Sequence, residues 1–285
     1  MIDPAFLDEL GRYGSAQKRR TTAQRTGEQE SPDVGEGLTF ADHRRYVRGD
    51  DIRLVDWKLY ARTEEYYVRQ YEEERNLTVH VLLDASGSMG YGEGDDVKFE
   101  FAAKVGLGFA YLFADEGNDF RFNLLRAEHE RVDGGRSNRG ECLRVIDVLN
   151  ETTPAGGGDL REALEGYAST ISSRSLVVVA SDFLDPAEDV DRGLSALSEN
   201  ELVCAHVLAP GELEPEARGD TVFEDPESDA ERRTYFGERL ARRYRDRLDD
   251  HVETVRGRAE GLGAVHAPLD TGRDFFDAFG DVWVE

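Results

Sequence analysis

Lysine is nearly absent from this chain: Lys18, Lys58, Lys98 and Lys104 are the only four among 35 basic residues, and the rest are arginine. Acidic residues number 60, so the formal charge at pH 7 is −25. A surface of that sign repels nucleic acid and anionic membranes, which excludes both as electrostatic partners. Many short carboxylates with so few lysine stems is the composition expected of a halophilic protein, kept soluble in very high salt. Cysteine is also scarce, with Cys142 in a helical pattern, Cys204 in a strand pattern and no Cys-x-x-Cys. That excludes a disulfide framework, and with no signal-peptide pattern the expected compartment is a reducing cytoplasm. Long apolar runs are missing: Val79–Leu83 and Leu176–Ala180 are far short of the roughly 20 residues of a membrane helix. Gly-Lys does not occur, so there is no P-loop, and Ala85–Gly90 misses the Gly-x-Ser-x-Gly of serine hydrolases.

What is present suffices for a folded molecule. At 285 residues and 39% hydrophobic content, the chain can form one large α/β domain with an appendage, or two small domains. Residues 1–75 carry 16 acids and 13 bases, net −3, leaving −22 for residues 76–285. A nearly neutral N-terminal quarter is thus joined to a strongly acidic remainder, which marks a boundary near residue 76.

Phe6, Leu7, Leu10 and Tyr13 share one helical face, and Asp3-Pro4 supplies an N-cap and a first-turn proline, so a short helix is expected over Ile2–Tyr13. The polar stretch Gly14–Gly37 reads as a linker or mobile loop. From Asn76 the segments alternate. Short apolar runs at Leu77–Asp84, Phe120–Leu125, Ser175–Ser181, Leu202–Leu208 and Ala264–Leu269 read as strands, the first, third and fourth of them covered on both faces. Helical periodicity falls at Lys98–Phe113, Glu141–Leu149, Asp159–Ile171, Val190–Leu197 and Tyr235–Arg258, with a terminal turn at Phe275–Phe279 and a short hairpin around Thr221–Phe223. Strands alternating with helices predict an α/β fold with a mainly parallel sheet and helices on both faces.

In such sheets ligands bind beyond the carboxyl ends of the strands, so the residues after each buried strand are the candidates. They are Asp84-Ala85-Ser86-Gly87-Ser88 after the first and Ser181-Asp182-Phe183-Leu184-Asp185 after the third, with the glycine-rich loop Thr152–Leu160 opening a helix between them. The donors are all oxygens, with no imidazole or thiolate, which selects a hard cation such as Mg²⁺. Two hydroxyls and two carboxylates, acting directly or through water, suffice for its octahedral shell with one position open. Asp-x-Ser-x-Ser alone recurs by chance; its placement after a buried strand, with Ser-Asp ending another, makes it considerably stronger.

Asp84–Met89, Gly156–Leu164 and Asp182 resemble the three loops of the metal-ion-dependent adhesion site in von Willebrand factor A-like domains. Upstream, Phe40, Arg44-Arg45-Tyr46, Gly49-Asp50-Asp51, Arg53, Val55-Asp56-Trp57, Ala61-Arg62, Val68 and Glu72–Glu74 are similar to the signature of the family catalogued as domain of unknown function 58. The resemblance covers about residues 35–210 and extends to the C-terminal helix and strand. It implies a von Willebrand factor A-like, Rossmann-like fold and a non-catalytic adaptor or chaperone-like partner of a MoxR-type AAA+ ATPase in complex assembly. The metal set it implies is Asp84, Ser86, Ser88 and Asp182 holding Mg²⁺, with Mn²⁺ and Ca²⁺ as alternative hard cations. Where the family places a threonine, this chain has Gly158, so that ligand falls to Asp159, Thr153 or water. The expected division is 1–36, N-terminal helix and flexible linker; 37–75, signature segment; and 76–285, the von Willebrand A-like domain with its C-terminal helix and strand.

Two other functional readings compete. A metal-dependent phosphohydrolase could use the same carboxylates, although haloacid-dehalogenase-like phosphatases need a second Asp where this chain has Ser86. A metal-free scaffold could instead bind a partner through Arg44, Arg53, Trp57 and Arg62. Asp42, Asp50, Asp51 and Asp56 interleave with these arginines, so the leading expectation for them is ion pairing, for Trp57 a core anchor, and for Arg48-Gly49-Asp50 a turn.

Overall fold

The computed structural model describes residues 1–25, 38–47, 55–63, 65–73, 77–92, 94–216, 219–224, 226–227 and 230–283. Residues 26–37 of the expected linker, the Arg48-Gly49-Asp50 turn and Arg53 lie outside the described residues, as does the side chain of Arg44. The chain forms two compact units, Met1–Arg19 with Leu77–Glu285, and Arg20–Asn76.

Helix α1 (Phe6–Arg25) begins the chain, with Phe6, Leu7 and Leu10 buried. It is longer than its apolar face. The segment after Tyr13, expected as linker, continues the helix to Arg25, because Ala16, Gln17, Lys18, Arg19 and Arg20 are strong helix formers that need no buried contact to extend an existing helix.

In the smaller unit, β1 (Leu38–Arg45) pairs antiparallel with β2 (Tyr67–Glu73), with a register shift between Phe40 and Asp42. Between them lies α2 (Trp57–Thr63), started by Asp56, whose Oδ1 accepts from the Leu59 amide at 3.0 Å. Val55 bridges Val68, and both are buried.

The larger unit alternates as expected. Its elements are β3 (Thr78–Asp84), α3 (Lys98–Asp115), β4 (Asp119–Leu125), β5 (His129–Arg131), α4 (Arg139–Glu151), α5 (Leu160–Ala168), β6 (Leu176–Ser181), α6 (Ala187–Ala196), β7 (Glu201–Leu208), α7 (Pro210–Leu213), β8 (Gly219–Glu224), β9 (Glu231–Phe236), α8 (Glu238–Gly261), β10 (Val265–Asp270) and α9 (Phe275–Trp283). Six strands form one sheet in the order β10-β7-β6-β3-β4-β5, parallel except for the edge strand β5. β8 and β9 form a separate antiparallel hairpin, longer than the Thr221–Phe223 turn suggested, and Tyr235 ends in that hairpin rather than in the following helix.

Strand side chains alternate between two cores. Val79, Val81, Leu83, Val178, Ala180, Val203 and Ala205 face α1, α3, α4 and α9, while Leu82, Val177, Val179, Leu202 and Cys204 face α5, α6 and α8. This two-sided burial is why these strands read as unbroken apolar runs. α3 lies directly on the central strands because Gly106 has no side chain: a Cβ there would stand 2.6 Å from Val81 Cγ1. Leaving β3, the chain crosses to β4 on one side, whereas β6 and β7 build outward on the other. The order therefore reverses between β3 and β6, and the carboxyl ends of those two strands flank the crevice where α/β sheets bind ligands.

Candidate functional site

Asp84 ends β3 and is buried, 5% exposed. Its Oδ1 accepts from the Ser86 amide at 2.9 Å, which tightens the Asp-x-Ser-x-Ser turn, and its Oδ2 accepts from Ser181 Oγ at 2.6 Å across the crevice. A single 3-10 turn over Gly87–Gly90 then sets the Ser86 and Ser88 hydroxyls 3.1 Å apart. The glycine-rich loop is tied to this turn by the Gly87 amide on the Gly156 carbonyl at 2.8 Å and the Ala155 amide on the Ala85 carbonyl at 3.2 Å. After β6 the chain reverses at Phe183, a buried non-glycine residue at φ 44, held by its amide on Ser181 Oγ and by His251 Nε2 on its carbonyl. A left-handed conformation for a bulky residue is costly, and such strain concentrates at binding sites.

Between these loops is a cavity of about 10 Å³, room for one water-sized sphere, lined by Asp84, Ser86, Asp185, Glu227, Arg126 and Gly158 among others. Burial and the neighbouring Asp182 charge raise the Asp84 carboxyl above the ordinary range, against the lowering effect of its bonds from Ser181 and Ser86. Asp185 is pushed up to about 7 by burial and then by Asp84, Asp182, Glu227 and Asp159. Burial is the larger cause of both shifts; the smaller part, from neighbouring carboxylates, is a field that favours a cation.

The other expected ligands have different immediate partners. Asp182 is buried, but its Oδ2 accepts from Lys98 Nζ at 2.6 Å and its Oδ1 from the Leu184 amide at 3.3 Å. Lys98, 0% exposed, also donates to Glu212 Oε1 at 2.7 Å and stands 5.9 Å from the Tyr91 ring centroid. Burial lowers the Lys98 pKa, yet Asp182 and Glu212 outweigh it and the net shift is upward. Glu212 itself is raised, because its own desolvation exceeds what Lys98 returns. Asp159 caps α5, its Oδ1 accepting from the Glu162 amide at 3.0 Å while Arg161 approaches Oδ2 at 3.3 Å. A Cβ on Gly158 would meet the Arg126 carbonyl oxygen at 3.0 Å, so the backbone here is packed too closely for a threonine without local movement.

The structure thus brings Asp84, Ser86 and Ser88 together, puts Asp182 beside Asp84 but on an internal ammonium, and uses Asp159 at a helix start. Among the described residues, no three His, Cys, Asp or Glu side chains converge as a closed metal cage. The residues fit a hard cation nonetheless: hydroxyl and carboxylate oxygens are the available donors, the space suits one ion, and the carboxylates of Asp84, Asp185 and Glu227 outnumber the one guanidinium of Arg126 in the lining. Sequence reasoning placed Ser181 and Asp185 in a candidate loop without giving them a role, and missed Lys98, Glu212 and Glu227. Lys98 carried a signal, being one of four lysines in an arginine-rich chain and opening the helix after the Asp-x-Ser-x-Ser turn. Glu212 and Glu227 carried none, since they lie in an acidic stretch of many equivalent carboxylates.

In the smaller unit, Trp57 is not the expected core anchor. At the first position of a seven-residue helix it stays 55% exposed, edge-on to Tyr60 at 6.1 Å and Tyr66 at 6.4 Å, while Tyr60 and Tyr66 stack at 4.5 Å. Arg62 is exposed, and Arg45 Nη2 donates to both carboxylate oxygens of Glu65 at 2.9 Å. Both cysteines are free and buried. No helix among the described residues is long and apolar enough to cross a membrane.

An oxygen-lined pocket at the switch point of a mainly parallel, helix-covered sheet defines the class, a Rossmann-like α/β domain with a candidate ligand site. A family model described as "Protein of unknown function DUF58" matches residues 42–254, and the chain belongs to that family. It is 28% identical over 244 residues to an uncharacterized protein of Mycobacterium tuberculosis, covering 85% of this chain and 77% of that one. Among solved structures it is similar to an aerotolerance-related membrane protein from Bacteroides fragilis, at 13% identity and TM-score 0.43 over 72% of this chain and 96% of that one. It is also similar to the VWA domain of SpRpn10, at 8% identity and TM-score 0.42 over 72% of this chain and 94% of that one.

Proposed function

We propose that this chain is a non-catalytic protein-binding module whose contact point is an adhesion-type metal site at the carboxyl end of β3. The observation that carries the reading is buried Asp84 and Ser86 lining a cavity the size of one ion, with the Ser88 hydroxyl 3.1 Å from that of Ser86. Asp84, Ser86 and Ser88 would hold Mg²⁺, Mn²⁺ or Ca²⁺, and Asp185 is a further carboxylate lining that cavity. A bound Mg²⁺ supplies a coordination position for a carboxylate oxygen of a partner. Ser181 orients Asp84, and Lys98 fixes Asp182 and offsets part of the negative charge behind it.

The resemblance of the three loops and the upstream signature to their families supports a MoxR-type AAA+ ATPase as the partner, with the chain acting as an adaptor or chaperone in complex assembly or maturation. Phosphate-ester hydrolysis is the weaker reading, because the group two residues beyond Asp84 is the Ser86 hydroxyl rather than a carboxylic acid. Crystals soaked in Mn²⁺ at high monovalent salt test the site: an anomalous peak against Ser86 and Ser88, lost in Asp84→Ala, is expected. An empty cavity at saturating Mn²⁺ refutes it.

The metal-free scaffold reading has one observation of its own, the exposed Trp57 beside Tyr60 and Tyr66. Capture of a purified MoxR-type ATPase that survives Asp84→Ala and is lost in Trp57→Ala selects that reading over the metal-dependent one.

A further inference from the structure

The hairpin formed by β8 and β9 has a turn containing Pro226 and Glu227, and this turn sits on the candidate site. A Cβ on Gly87, the glycine inside Asp-x-Ser-x-Ser, would come within 2.3 Å of the Pro226 carbonyl oxygen. A Cβ on Gly157, in the glycine-rich loop, would stand 3.5 Å from both Cβ and Oε2 of Glu227. The turn is therefore packed against two loops of the site at glycines, where no side chain holds it away. Glu227 lines the same one-ion cavity as Asp84, Ser86 and Asp185. Glu227 thus adds a third carboxylate to those of Asp84 and Asp185 around one small space, where like charges repel without a cation and can coordinate one that is present.

We propose that Glu227 is an intramolecular ligand of the Asp84–Ser86 site, occupying the coordination position a partner carboxylate would otherwise take. This rests on the reading of the cavity as a hard-cation site. The hairpin then acts as a built-in competitor. A tethered carboxylate reaches an effective concentration on the order of millimolar, so a single acidic side chain on a partner does not displace it unless further contacts draw the hairpin aside. The module is closed at rest, and opening it means moving the Pro226–Glu227 turn away from Gly87.

The test uses Mn²⁺ alone as probe, with the full chain at high monovalent salt. Isothermal titration gives affinity, and water-proton relaxation gives the hydration of bound Mn²⁺. Glu227→Gln is expected to weaken Mn²⁺ by about tenfold or more and to raise the relaxation enhancement as water fills the vacated position. Gly87→Ala, which changes no carboxylate and forces the turn off by its clash with Pro226, is expected to raise the enhancement in the same way. Glu224→Gln, an exposed acidic position on β8, is the charge control and is expected to match wild type. Should Gly87→Ala fail to fold, Glu227→Gln still decides. Wild-type affinity and relaxation in Glu227→Gln overturn the intramolecular ligand while leaving the metal site standing. Absence of Mn²⁺ binding in the wild type overturns both.

Discussion

Replacing Lys98 by methionine should damage this protein more than any other change of a single charged group in the larger unit. The ammonium is 0% exposed and bonded at 2.6 Å to Asp182 and 2.7 Å to Glu212, whose side chains are only 3% and 11% exposed. Methionine fills nearly the same volume, so packing is preserved and the loss is electrostatic. Breaking a buried ion pair from one side costs about 3–5 kcal/mol, because the remaining charges stay desolvated without compensation. At roughly 2–4 °C per kcal/mol for chains of this size, the midpoint of thermal unfolding falls by roughly 10 °C. The pH dependence also changes. In the wild type the raised Lys98 pKa means its stabilising contribution is intact below the ordinary lysine range and is lost only as pH climbs beyond it. In Lys98→Met the Glu212 carboxyl, already raised by burial, rises further, so folding takes up a proton and the deficit shrinks as pH falls from 8 towards 5. Adding Glu212→Gln removes one uncompensated charge while keeping the acceptor for the Ala209 amide, and should recover part of the loss at pH 8. Denaturant melts of the three proteins at pH 5 and 8, in constant high salt, measure all of this. A Lys98→Met protein within 1 kcal/mol of wild type at both values, by the scale of a surface pair, refutes the argument that the ammonium organises the site.

Other consequences follow from buried groups elsewhere. His206 is 0% exposed and held neutral, its pKa lowered to about 3 by burial and by His266, whose Nε2 lies 3.0 Å from its Nδ1. The unfolded chain takes up that proton near 6.5 and the folded one does not, so stability declines as pH drops from 6.5 to 4, by about 3 kcal/mol from this group. Denaturant midpoints across that range should flatten in His206→Gln, and an unchanged slope counts against a buried neutral imidazole. Burial pushes both thiols, Cys142 and Cys204, up to about 12, so a chromogenic disulfide reagent should label neither in the native protein and both in denaturant. Rapid labelling of native protein contradicts their placement.

The division of labour between sequence and tertiary structure is visible at particular residues. Leu77–Asp84, Ser175–Ser181 and Leu202–Leu208 announced strands buried on both sides, because a strand between two helical layers must be apolar throughout, and the fold class followed from their alternation with helices. Asp84, Ser86 and Ser88 were legible as a site since three oxygen groups in a five-residue turn are brought together by local geometry alone. Asp182 was legible as a neighbour, through its place after β6, but not as the partner of Lys98, 84 residues away in the chain. Trp57 was misread as core because aromatic character does not say which way a short helix faces. Lys98, Glu212 and Glu227 gain their roles from where α3, α7 and the β8–β9 turn come to rest. Local pattern fixes an element and the groups within one turn of it. Which of 60 carboxylates lose their water beside one another is decided only when distant elements close on the same space and remove the solvent that makes surface charges equivalent.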